Sequence, residues 1–259
     1  KINSLKVNGE EISYKKIKDI IEVPIPNEEK VNIEFSYGGK VKCDKNSVGS
    51  GVPGYISKDS IYLLEASNWI FRPLVIEGDI IDISGYYIAP DYLTMVVPGR
   101  LVEVETIDGN KKWTFEYKSH TADIGAFAAK YKKTQIDVQN MVVEFYYTPK
   151  HEEYVENMQI VERIKAMMEY YTQNIGKYYS NEYPLKIAEV SIYKRGGHSS
   201  ENVITFSENT INRDNDMYSI LNKNNEMEDF RKEDVYANDL NLIAHEMAHQ
   251  WWGTGVNVI

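Results

Sequence analysis

Met141-Val142-Val143-Glu144-Phe145-Tyr146-Tyr147-Thr148-Pro149 is the stretch at which the chain changes its hydrophobic period. Up to Tyr147, apolar and polar residues alternate as on strands with one buried face. After Pro149, Val161, Ile164, Met168, Tyr171, Ile175 and Tyr178 fall three or four residues apart, the stripe of a long helix. A strand period before the switch and a helical one after it predict an α+β protein, with an antiparallel β-sandwich over residues 1–147 and a second domain over 148–259.

Toward lower numbers, hairpin signals recur. Leu5-Lys6-Val7 and Ile12-Ser13-Tyr14 flank Asn8-Gly9, and Leu101–Ile107 and Trp113–Tyr117 flank Asp108-Gly109. Both dipeptides suit a two-residue turn whose positions need positive φ. Val31, Ile33, Phe35 and Tyr37 alternate up to Gly38-Gly39, with Val41 and Cys43 leaving on the other side. Tyr92–Val97 reads as a strand before Pro98-Gly99, and Lys45–Tyr55 as a loop rich in Gly and Ser. Toward higher numbers, Leu185–Tyr193 and Val203–Ser207 read as strands broken apart by Gly196-Gly197, and the polar Glu208–Glu233 as loop. Asp234–Trp252 then reads as a helix with Leu240, Ile243, Ala244, Met247 and Trp251 on its apolar face.

A chain of 259 residues can bury a substantial core. Twenty-nine basic against thirty-nine acidic residues give a net charge of -10, which disfavours nucleic acid and anionic membrane surfaces as partners. The lone Cys43 excludes an internal disulfide framework and declares no compartment. There is no run of eighteen apolar residues and no signal peptide at the start, so no direct membrane contact is expected of this stretch and its localisation is left open. The absence of an initiating Met, and an end at Ile259 just after a helix, suggest a longer protein trimmed at both ends.

The chemistry sits on the helix that contains His245-Glu246-Met247-Ala248-His249. His245 and His249 are four apart, so both imidazoles project from one face and can share one zinc ion. Glu246, one residue from the first ligand, points aside from the metal, where it can take a proton from the attacking water and pass it to the leaving amine. Two plainer readings compete: a pair of surface histidines, or a closed structural zinc site, for which only Cys43 could add a thiolate. A catalytic zinc needs a third protein ligand. Spacing does not choose among His198, His151, His120, Glu201, Glu208 and a residue beyond Ile259.

His245-Glu-Met-Ala-His-Gln-Trp-Trp-Gly253 resembles the metal-binding segment of the aminopeptidase N family of gluzincins, whose second His is commonly followed by Gln, an aromatic pair and Gly. About forty residues upstream that family has a Gly-x-Met-Glu-Asn strand that binds the free amino terminus of the substrate. Here the corresponding stretch is Gly197-His198-Ser199-Ser200-Glu201-Asn202, in which His-Ser-Ser replaces the usual small residue and Met. The resemblance implies peptide substrates, a zinc cofactor held by His245 and His249, Glu246 as catalytic base, and Glu201, Asn202 and Gly197 as substrate-binding residues. It implies that residues 1–147 match the family's β domain without its first strands, and that 148–259 open its thermolysin-like catalytic domain. The third ligand, a Glu about nineteen positions after His249, and a Tyr further on would then fall beyond Ile259. On that reading the chain alone is an inactive piece of an aminopeptidase, and the parent protein can carry membrane segments. A related zinc endopeptidase, and a peptide-binding module without turnover, are the competing readings; the intact Glu246 argues against the last.

Overall fold

The computed structural model describes residues 1–41, 54–64, 67, 69–71, 81–119, 124–179, 182–191, 196–208 and 240–252. The fold is α+β, as expected, and the chain divides into two compact units, Lys1–Val41 and Lys42–Ile259. Cys43, His120, Gly253, the loop over 45–53 and most of the stretch over 208–239 lie outside the described residues.

The first unit is built on strand Ile2–Val7, which pairs antiparallel with Glu10–Glu11 on one side and with Ile33–Tyr37 on the other. Asn8 and Gly9 both have positive φ, the turn that the dipeptide predicts. The partner strand is shorter than expected: past Glu11 the pairing continues only as the bond from Ile12 N to the Leu5 carbonyl. Leu5 and Val7 are buried here.

In the second unit, Arg100–Ile107 and Asn110–Ser119 form the hairpin turned at Asp108-Gly109, again with positive φ at both positions. Ile81–Pro90 pairs along the whole length of Asn110–Ser119. A four-stranded antiparallel sheet holds Tyr55–Ile56, Ser60–Leu63, Ala126–Ala129 and Thr94–Val96 in that order. The sheet that positions the site is mixed and five-stranded, in the order Lys132–Val138, Met141–Tyr147, Leu185–Val190, Val203–Ser207, Gly197–Ser200. Met141–Tyr147, which shares its period with the hairpins before it, is joined in parallel to Leu185–Val190, and so is Val203–Ser207. Helices fill the crossover between the first two, as a parallel connection requires.

Helix Ile160–Asn174 buries Ile160, Ile164 and Met168. It stops one turn before the stripe does, because Gly176 follows with φ 139, a conformation that ends helices. Tyr178 lies beyond that stop and is buried all the same. On the helical face of the five-stranded sheet, Ile187, Ile204 and Phe206 share a core with Ile164, Met168, Ile243, Met247 and Trp251. On the other face, Ala188, Val190 and Val203 share one with Tyr55, Tyr62, Val96 and Phe127 of the four-stranded sheet. The odd and even residues of these strands thus serve opposite layers.

Lys186 belongs to the second face. It is buried, and its ammonium donates to the carbonyls of Val97 (2.7 Å) and Gly99 (2.6 Å). Burial lowers its pKa from 10.5 to about 8. Below about 8 the ammonium is charged folded and unfolded; between there and 10.5 only the unfolded chain keeps the proton, so stability rises with pH across that window. Relative to Lys186→Met, the wild-type chain gains up to about 3 kcal/mol over that window. Urea midpoints of the two proteins measured across it would show this, and a difference that stays flat would contradict it.

Candidate active site

The helix over 240–248 lies on the sheet by its apolar side, with Leu240, Ile243 and Met247 buried. Its opposite side presents His245 and His249, both exposed. Past residue 248 the turn tightens, yet His249 N still bonds to the His245 carbonyl at 3.3 Å, so the one-turn spacing survives. The two Nε2 atoms stand 3.2 Å apart. Two nitrogens on a tetrahedral zinc ion, each at about 2.0–2.1 Å, would be about 3.3 Å apart, so this pair fits the metal's bite. His249 Nδ1 lies 3.3 Å from the Trp252 carbonyl, which only accepts; the tautomer with its proton on Nδ1 would donate there and leave the Nε2 lone pair for a metal.

Glu246 is 7% exposed and packs beside strand Gly197–Ser200, the edge of the five-stranded sheet. A Cβ on Gly197 would stand 2.6 Å from Glu246 Cγ and 2.8 Å from Oε1, so a bare backbone lets the carboxylate keep this position without shifting. Burial pushes the Glu246 carboxyl up from the ordinary range, while His245, His249 and His198 pull it the other way. The result is a carboxylate in a partly dry setting, beside the histidines but not on their axis.

Strands Gly197–Ser200 and Val203–Ser207 form a hairpin whose tip is Glu201-Asn202. Asn202 takes φ 63, a left-handed conformation that Asn tolerates. Both tip residues are buried. Ser119, from the end of strand Asn110–Ser119, donates to Glu201 Oε2 at 2.7 Å. The phenols of Tyr178 and Tyr179 lie near Glu201, and burial together with its charge holds both well above their usual range. Gln250 Nε2 donates to Ser199 Oγ (2.6 Å) and the Ser200 carbonyl (2.8 Å). Trp251 donates to the Gly176 carbonyl at 2.9 Å, and its ring lies against Tyr171 and Tyr178.

Sequence reasoning placed Glu246 with the histidines, and Gly197 is brought up against it. Glu201 and Asn202 hang from the same helix through Gln250. Of the other candidates for a third ligand, His198 lies near enough to Glu246 for its charge to act on it, whereas buried His151 pairs with Glu189 at 2.8 Å and Glu208 is held by Lys150 and Ser191. Among the described residues, no group of three or more His, Cys, Asp and Glu side chains could hold a metal ion. Two residues escaped the sequence reading. Ser119 lies 82 positions from Glu201 and carries no local signal, and Tyr178 was legible only as part of a core stripe.

No protein-family model matches the sequence, and no curated protein does. The fold has solved counterparts. Legionella pneumophila aminopeptidase A, in complex with aspartic acid, superposes with a TM-score of 0.72 at 18% identity over 99% of this chain and 30% of its own. The M1 zinc metallopeptidase of Deinococcus radiodurans gives 0.62 at 12% identity over 98% of this chain and 55% of its own. A mutant of a two-domain M1 zinc metallopeptidase bound to L-arginine gives 0.65 at 13% identity, over 99% and 55%. The chain therefore has the M1 metallopeptidase fold and spans between about a third and about half the length of these structures.

The close approach at Gly197 is testable without an assay of function. Gly197→Ala should cost about 1–3 kcal/mol through overpacking against Glu246. Gly196→Ala, whose added Cβ meets nothing within 4 Å, should stay within about 0.5 kcal/mol of wild type. Equal losses in denaturant unfolding would refute the assignment.

Proposed function

We propose that this chain is part of a zinc aminopeptidase that removes residues from the amino termini of peptides. The observation that carries the reading is the convergence of the His245 and His249 Nε2 atoms to 3.2 Å with the Glu246 carboxylate alongside. The fold, shared with zinc metallopeptidases, supports the same class of chemistry.

In this reading His245 and His249 would hold the zinc together with a third ligand supplied beyond Ile259. The ion, when bound, supplies Lewis acidity toward the scissile carbonyl and the attacking water. Glu246 takes the proton of that water and returns it to the leaving amine; its burial favours holding that proton in between. Glu201 accepts the substrate's ammonium group, with Ser119 holding one of its oxygens in place. That charge pairing fixes the first peptide bond, and no later one, at the histidines. Gly197, on the edge strand, and Asn202, at the hairpin tip, complete the substrate-binding residues of this reading.

In the zinc-loaded full-length protein, Glu246→Gln should lower kcat on an aminoacyl anilide by about 10²–10⁴ with little change in KM. Glu201→Gln should act mainly on KM, and amino-acetylation of a peptide should block its cleavage. Equal turnover of free and acetylated peptides would replace the aminopeptidase by an endopeptidase of the same fold.

A further inference from the structure

Gln250 follows the second histidine directly, and its side chain points into the protein, where it is fully buried. A carboxamide offers two hydrogens and one oxygen with two lone pairs. Here both ends are engaged. Nε2 donates to Ser199 Oγ and the Ser200 carbonyl, and Oε1 receives the Asn202 N–H at 3.3 Å. The Tyr178 hydroxyl also faces that oxygen, at 3.3 Å, and donates to Asn202 Oδ1 at 2.9 Å. One side chain thereby grips the hairpin tip on both sides of Glu201 while the backbone of its own residue extends from His249.

We infer that Gln250 is a positioning residue that sets the register between the metal-holding histidines and the amine-binding Glu201, and so makes the site selective for a free amino terminus. The inference rests on the aminopeptidase reading above. An enzyme that cuts the first peptide bond must keep its ammonium acceptor at one fixed reach from the reacting carbonyl, and a displacement of about 1 Å can cost on the order of a hundredfold in rate. Strand Gly197–Ser200 lies at the sheet edge and is paired only to Val203–Ser207 among the described residues, so the sheet alone restrains the tip weakly. Beside the bonds from Ser119 and Tyr178, the Gln250 carboxamide adds a restraint that comes from the residue directly after His249.

The test compares wild type, Gln250→Met and Glu201→Gln in the zinc-loaded full-length protein. For Gln250→Met we expect unchanged zinc content, about a tenfold rise in KM for an aminoacyl anilide with kcat within about threefold, and a smaller preference for free over acetylated peptides. Calorimetry with a free L-amino acid should show the matching loss of affinity, and hydrogen exchange should show faster exchange at the Asn202 amide. Ser199→Ala removes one acceptor and no core atom; it should shift KM in the same direction by less, and it carries the test if Gln250→Met does not fold. Faster exchange at Asn202 with KM and preference unchanged would overturn the inference, as would a loss of zinc. If Glu201→Gln itself leaves the preference for free amines intact, the aminopeptidase reading fails first, a result distinct from failure of the Gln250 step alone.

Discussion

Strand Leu185–Val190 is buried at every position, and that constraint organises what surrounds it. A strand covered on both faces has no water for its polar side chains, so each must find partners inside the protein. Lys186 finds the Val97 and Gly99 carbonyls in the layer of the four-stranded sheet. Glu189 finds Thr148, through both backbone and hydroxyl, and His151, where the chain turns from strand to helix. The Tyr131 hydroxyl donates to the Glu189 carbonyl. The central strand therefore joins its neighbours by polar bonds as well as by packing. Those bonds fix the helical layer and the hairpin layer against a common reference. The His245 helix is laid on that reference by Ile243, Met247 and Trp251.

The division of labour around the helix follows from its period. Residues three and four apart share a face, so a helix that buries Leu240, Ile243 and Met247 presents His245 and His249 on the opposite side. Glu246 lies between the two faces, which explains a carboxylate that is largely buried yet adjacent to exposed imidazoles. The same logic accounts for Gln250 and Trp251. They leave the helix at its tightened last turn and point inward, one toward the hairpin tip and the other toward Tyr171 and Tyr178.

Patterns that depend on near neighbours in the sequence were legible there. The period switch at Met141–Pro149, the positive-φ turns at Asn8-Gly9 and Asp108-Gly109, and the one-turn spacing of His245 and His249 are local, and each has a physical signature of a few residues. The resemblance carried Glu201 and Asn202, which the fold brings up against Gln250, next to His249. What could not be read is either non-periodic or distant. Ala126–Ala129 is buried throughout and so shows no alternation, and Ile81–Pro90 carries too mixed a pattern to mark its ten residues as one strand. The parallel joining of Met141–Tyr147 to Leu185–Val190 is invisible because periodicity reports which face is buried and not which strand lies alongside. Gly197 could be read as a breaker, whereas its place beside Glu246 depends on a helix some fifty positions away.

The bond from Ser119 to Glu201 spans 82 positions, and this has a consequence for biosynthesis. At the usual elongation rates of about 5–20 residues per second, the ribosome delivers Ser119 roughly 4–16 s before Glu201. The hairpin of Arg100–Ile107 and Asn110–Ser119 closes in microseconds once it has emerged, so the strand that ends in Ser119 is formed long before the carboxylate exists. Phe115 and Tyr117 do not wait for that carboxylate, because Phe115 stacks on Tyr87 and Tyr117 lies against Gly99, both delivered earlier. Glu201 therefore arrives at a strand that already carries its hydroxyl donor.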